Sequence, residues 1–282
     1  MTECLFVSDL HGHVEKYRKL FGAALSLRPR AIFIGGDILP HFGWLDTPTD
    51  FVRQHLLAEL DRLRRALGAE YPRVFAILGN DDPRVNEESL IEGAAAGLLS
   101  YVHMKKEQLD RWTVYGYAMT PPSPFPLKDW EQYDVSQYVD PGSVSPEEGL
   151  RSVPVEASEV RHATIAADLG QLAGSGDLGN AVLLFHAPPY GSVLDRAPLE
   201  GKSVDHVPLD LHIGSVAIRR FIEERQPLLT LHGHAHESAR ITGQWREHIG
   251  RTLALSAAHD GRELALVRLD LENPDGATRE LV

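Results

Sequence analysis

Short apolar runs alternate with stretches of helical period along most of the chain. Residues 4–8, 31–34, 74–78, 112–117, 181–185 and 228–231 have the length and composition of buried strands. Residues 14–27 carry a helical period. A second helix is expected to begin after Thr47-Pro48-Thr49-Asp50, where Thr47 caps, Pro48 suits the first helical position and Asp50 complements the positive helix end. Leu56, Leu60, Leu63 and Leu67 then form its buried stripe. Further helices are predicted over 157–172 and from Ser215, a cap, to Arg225, where Pro227 stops the turn. Residues 251–271 read as mostly β. Strands alternating with helices in this way predict a mixed α/β fold.

Residues 120–146 break the pattern, being rich in proline and aromatic side chains. Phe125, Trp130, Tyr133 and Tyr138 predict an ordered loop that packs on the body rather than a stacking platform for a base.

A formal charge of -12 argues against a broad electropositive surface, so duplex nucleic acid is not an expected partner. Cys4 is the only cysteine, which excludes an intrachain disulfide and points to an intracellular, cytoplasmic setting. The sequence reads without a signal peptide, and every apolar run is far shorter than the ~20 residues a membrane helix needs.

Polar blocks follow the apolar runs: Asp9-Leu10-His11, Gly36-Asp37, Gly79-Asn80-Asp81-Asp82, His186, and Gly233-His234-Ala235-His236. Singly, each block is an ordinary turn. Jointly they bring carboxylates, an amide and imidazoles to the carboxyl ends of strands, where open α/β sheets build their sites. Mixed imidazole and oxygen donors suit divalent transition ions better than calcium. Because the blocks run from Asp9 to His236, a split into two domains would cut them apart; one domain over residues 1–282 is expected, with 120–150 as an insertion shaping the substrate side.

In this order the blocks resemble the signature of the calcineurin-like metallophosphoesterase superfamily. The resemblance implies a four-layer αββα fold, a β-sandwich flanked by helices. It also implies two divalent ions, one held by Asp9, His11, Asp37 and His236, the other by Asp37, Asn80, His186 and His234, with Asp37 bridging. Manganese is the first candidate, with iron, zinc, nickel and cobalt as alternatives. Two ions ~3.5–4 Å apart activate a bridging hydroxide for in-line attack on phosphorus. The blocks His186-Ala187-Pro188-Pro189-Tyr190-Gly191 and His212-Ile213-Gly214-Ser215 further resemble small archaeal and bacterial phosphoesterases.

The chain departs from that pattern at one position. Asp81 stands where the commoner motif has a histidine that assists the leaving oxygen, with Asp82 at the usual acidic position. Asp81 is read as shaping the site, and a phosphodiester of a small molecule or nucleotide becomes the expected substrate. Asp81, Asp82 and His212 are the candidate catalytic side chains; His212 precedes a helix start whose N–H groups could receive a phosphate oxygen. His232 is expected in the core or behind the ligands, and His13 and His41 at the surface or just behind the ligands. The alternatives are a catalytically weak metal-binding scaffold for protein partners, or a nuclease acting on single-stranded ends. Substrate and oligomeric state are not written in the sequence.

Overall fold

The computed structural model describes residues 3–40 and 51–282. Parallel strands β1 (Glu3–Val7), β2 (Ala31–Gly35), β3 (Arg73–Ile77) and β4 (Ser100–Tyr101) form one half of the sandwich. Antiparallel β13 (Ala265–Asp270) and β14 (Asn273–Leu281) extend it beyond β1, giving the order β14-β13-β1-β2-β3-β4. The second sheet also joins four parallel strands to two antiparallel ones, here one at each edge. Parallel β6 (Trp112–Tyr117), β7 (Ala181–Phe185), β10 (Leu229–His232) and β12 (Thr252–Ser256) sit between antiparallel β5 (Lys105–Leu109) and β11 (Arg246–Ile249), in the order β11-β12-β10-β7-β6-β5. A small hairpin, β8 (Ser203–Val204) with β9 (Val207–Pro208), lies apart from both.

Side-chain alternation explains why two sheets face each other with helices outside. In β7, Val182 and Leu184 join the core shared with the first sheet, whereas Ala181, Leu183 and Phe185 pack against α5 (Ile165–Ala173) and α6 (Val216–Arg225). On the other side, α1 (Val14–Leu27) and α2 (Ala58–Leu67) bury Tyr17, Leu20, Phe21, Leu60 and Leu63 with residues of the first sheet. The four-layer αββα architecture expected from the resemblance is the observed one.

Most predicted elements are present, with informative differences. The stripe of Leu56, Leu60, Leu63 and Leu67 is buried, but a π-helical turn over Val52–Leu57 precedes α2, and the proposed Thr47 start and His41 lie outside the described residues. The helix predicted over 157–172 is two, α4 (Ala157–His162) and α5, because Ala163 turns extended and Thr164 caps the second by accepting from Ala167 N. Helix α3 (Glu87–Ala95) and the short α7 (Ser238–Thr242) were not anticipated. No helix among the described residues is long and apolar enough to cross a membrane.

The 120–150 segment is ordered, as its aromatic content predicted. Trp130 and Tyr133 are buried, while Phe125 and Tyr138 stand exposed. A fully buried Lys128–Glu131 ion pair stitches the segment internally. Asp129 accepts from Arg84 N at 2.8 Å, beside the loop that follows β3. Asp134 reaches the amino end of α6, accepting from Ser215 Oγ (2.6 Å), Val216 N (2.7 Å) and Ala217 N (3.2 Å). Those N–H groups are therefore committed to a carboxylate of the protein itself, and the expectation that this helix start receives a phosphate is corrected.

Candidate metal centre

Each block leaves the carboxyl end of a parallel strand: Asp9 and His11 after β1, Asp37 after β2, Asn80 after β3, His186 after β7, His234 and His236 after β10. Four of these side chains sit on left-handed backbone, with φ of 55° at Asp9, 45° at His11, 50° at Asp37 and 70° at His234. That conformation costs non-glycine residues roughly 1–3 kcal/mol each and persists where surrounding bonds over-determine it. Here Asp9 N donates to Gly36 O (3.1 Å), His11 N to Asp37 O (2.8 Å) and Gly233 N to His186 O (2.9 Å), lacing neighbouring loops together.

Close approach of the loops also explains two of the glycines. A Cβ on Gly79 would stand 2.3 Å from Asp37 Oδ1, and one on Gly233 would stand 2.0 Å from Ser8 Oγ. A larger residue at either position would push the candidate ligands apart.

The side chains meet in two groups joined by Asp37. Asp9, His11, Asp37 and His236 each present a donor atom within 4.8 Å of the others. His11 Nε2 and His236 Nε2 are 3.1 Å apart, and His236 Nε2 is 3.3 Å from Asp9 Oδ1. In the second group, Asn80 Oδ1 lies 3.1 Å from His186 Nε2 and 2.7 Å from His234 Nδ1. Asp37 Oδ2 connects the groups, 3.3 Å from His186 Nε2 and 4.0 Å from His11 Nε2. His186 Nδ1 stands 2.8 Å from Gly35 O, a carbonyl on the opposite sheet, so Nδ1–H donates there and Nε2 turns toward Asp37 and Asn80.

This donor set fits a divalent cation. Asp9 Oδ2 is buried with no hydrogen-bond partner, and imidazole nitrogens with carboxylate oxygens point at common space. Buried carboxylates without counter-charge are expensive. The protein's own imidazoles supply that charge: burial opposes ionisation of Asp9, yet His236 brings it down to about 2, and His186 brings Asp37 far below the usual carboxylate range. Reciprocally, Asp37 overcomes burial to push His186 up to about 10, and Asp9 pushes His236 up to about 9. Burial and the neighbouring His186 charge push His234 down to about 3.

The remaining candidates separate by position. Asp81 borders the cluster: its N donates to Asp37 Oδ1 at 2.9 Å, its Oδ1 accepts from Asn80 Nδ2 at 3.0 Å, and burial with the Asp37 charge raises its carboxyl to about 7. Asp82 is completely buried, and its oxygens accept from Gly79 N (2.9 Å), Ile38 N (3.1 Å) and Leu39 N (2.8 Å). It ties the loop carrying Asp37 to the loop carrying Asn80. His212 lies outside the cluster, with Nδ1 2.7 Å from Oδ1 of the fully buried Asp195. His232 is a core residue, stacked on Phe185 and bound to Ala187 O and Thr230 Oγ1, while His13 is exposed.

Sequence reasoning missed Asp195, which positions His212, and Lys16, a buried ammonium whose Nζ donates to Asp9 O at 3.2 Å. Lys16 falls on the apolar face of α1, and that placement of a charge was the available signal. Asp195 had none, being 17 residues from its partner.

A comparison with curated protein sequences finds no match. Among solved structures, one with 16% identity aligns over 99% of this chain and 98% of its own at a TM-score of 0.62. The protein TT1561 of Thermus thermophilus aligns over 99% and 98% with 17% identity and a TM-score of 0.57. At such identity the likeness speaks to the fold alone. The sequence profile of the calcineurin-like phosphoesterases matches residues 3–238, a span containing all five polar blocks, and the chain belongs to that family.

Proposed function

We propose that this protein is a metal-dependent phosphodiesterase that hydrolyses a phosphodiester of a small molecule or nucleotide. The observation that carries the reading is the convergence of Asp9, His11, Asp37, Asn80, His186, His234 and His236, with the Asp37 carboxylate between the two groups. Asp9, His11, Asp37 and His236 would hold one divalent ion, and Asp37, Asn80, His186 and His234 the other, with manganese the first candidate. Ions held there would supply a water acidic enough to act as nucleophile near neutral pH and would neutralise the phosphoryl oxygens during in-line displacement.

The chain's own residues hold this arrangement and select the substrate. Asp82 keeps the two ligand loops in register through three backbone donors. Asp81 favours a diester, because a monoester dianion brings a second negative charge toward its carboxylate whereas a diester carries only one. His212, fixed by Asp195, belongs to the substrate side. Residues 120–150, anchored beside the β3 loop by Asp129 and on α6 by Asp134, shape that side within a single catalytic unit over 1–282. The buried single cysteine fits a cytoplasmic setting.

The test is hydrolysis of paired aryl phosphate diesters and monoesters by manganese-loaded protein, with bound metal measured alongside and His234→Ala as control. Diester preference, lost together with metal in His234→Ala, is the expected result. Faster monoester hydrolysis overturns the substrate assignment. Bound metal with no turnover of either ester favours a scaffold.

A further inference from the structure

Arginines on this acidic protein are largely paired: Arg30 with Asp110, Arg53 with Glu92, Arg73 with Glu107 and Arg240 with Asp260 are examples. Arg196, like Arg279, has no such pair among the described residues. Its Nε is buried without a hydrogen-bond partner, and no carboxylate among the described residues pairs with its guanidinium. A buried donor left unsatisfied costs roughly 1–3 kcal/mol, more when charged, so such a group is a standing invitation to an anion.

Its place in the fold is informative. Arg196 N donates to Ser238 Oγ at 3.0 Å, two residues beyond His236, and Arg196 lies directly across an antiparallel bridge from His212. Two residues of chain and one hydrogen bond put the Arg196 backbone within roughly 12 Å of the His236 backbone. The His212 side is tied to the other ligand strand: Ser215 N donates to Pro188 O at 2.9 Å, two residues beyond His186.

The imidazole of His212 is held in a fixed orientation. Asp195, which orients it through Nδ1, also accepts from Gly191 N (2.9 Å) and Ser192 N (3.1 Å), so the ring cannot swing freely. The second ring nitrogen meets no protein partner among the described residues. The nearby Asp210 is already engaged, accepting from Tyr190 Oη at 2.6 Å and from His212 N at 2.9 Å.

We propose that Arg196 and His212 form a subsite for a second phosphate group of the substrate, carried on one alcohol arm of the scissile diester about one sugar unit away from it. The assignment rests on the phosphodiesterase reading for its reaction, but not for its binding. A guanidinium offers forked donors that match phosphate oxygens, and the fixed imidazole adds one further contact.

Two measurements test it. In metal-free protein, the Arg196 Nε–H resonance, identified by its loss in Arg196→Met, is followed while inorganic phosphate is added; a saturable shift is expected. With manganese-loaded protein, KM is compared for 4-nitrophenyl esters of thymidine 5′-phosphate that either carry or lack a 3′-phosphate. The wild type should favour the 3′-phosphorylated ester, and Arg196→Met should shrink the ratio of the two KM values by about ten-fold, the equivalent of one charge-assisted hydrogen bond. Arg196→Lys should retain part of the preference, and thermal unfolding verifies that the variants are folded. An Arg196 signal indifferent to phosphate, or a KM ratio equal in wild type and Arg196→Met, overturns the subsite. Absent turnover of both esters together with a saturable shift removes the reaction assignment and leaves the subsite standing.

Discussion

Replacing His232 with glutamine tests whether this core imidazole is neutral in the folded protein. His232 is fully buried on β10, its Nδ1 2.9 Å from Ala187 O, next to His186, and its Nε2 2.8 Å from Thr230 Oγ1. Burial, only partly offset by the Ala187 carbonyl, lowers its pKa from 6.5 to about 4. Between those values the unfolded chain binds a proton that the native state does not, so stability is present above 6.5 and drains away as pH falls toward 4. At about 1.36 kcal/mol per pH unit the whole interval amounts to about 3 kcal/mol, of which between about 2 and 3 kcal/mol is lost by pH 4.5. Urea unfolding of wild type and His232→Gln, both with chelator, at pH 7.5 and pH 4.5 measures this. The Asp and His cluster also titrates, but it does so in both proteins, so the informative quantity is the difference between their losses. Wild type should lose about 2–3 kcal/mol more than the variant on acidification. Equal losses would refute the buried neutral histidine.

Three further outcomes are expected. Lys128→Met should destabilise the protein by about 3–5 kcal/mol by stranding the buried Glu131 carboxylate, and Lys128→Met with Glu131→Leu should recover most of that loss in urea unfolding; a double variant no better than the single contradicts the pairing. Asp82→Ala removes the acceptor of three backbone N–H groups and should cost about 3 kcal/mol or more, with weaker manganese binding by calorimetry because the loops of Asp37 and Asn80 are no longer tied. Manganese uptake at pH 7.5 should release protons, since His186 (about 10) and His236 (about 9) must become neutral to bind, and affinity should rise with pH; calorimetry giving the same heat in buffers of different ionisation enthalpy would show no such release.

Much of the candidate centre was legible along the chain because each part is local. A parallel strand buried on both faces reads as an apolar run, and the polar block that follows within a few residues stands out against it; Asp9, Asp37, Asn80, His186 and His234 all lie in such blocks. The glycines of the blocks stand out as turn residues along the chain, although the reason that a Cβ on Gly79 or Gly233 would meet Asp37 or Ser8 lies in three dimensions. Helical period located α1, α2 and α6, but it ran across the break at Ala163 and Thr164, where a cap and the bond from Ile165 N to Tyr133 O end one helix and start another.

Read along the chain, the polar blocks and their family resemblance thus named candidate cation ligands and the strand ends they follow. How those ends pair emerged in three dimensions: Asp134 rather than a ligand occupies the start of α6, Asp82 is a tie between loops, and Asp195 fixes His212 while Arg196 pairs with no acid among the described residues. The difference is one of range. Strand and helix signals arise from neighbours a few residues apart, whereas these pairings exist because two sheets close on each other and bring separate loops within hydrogen-bond distance.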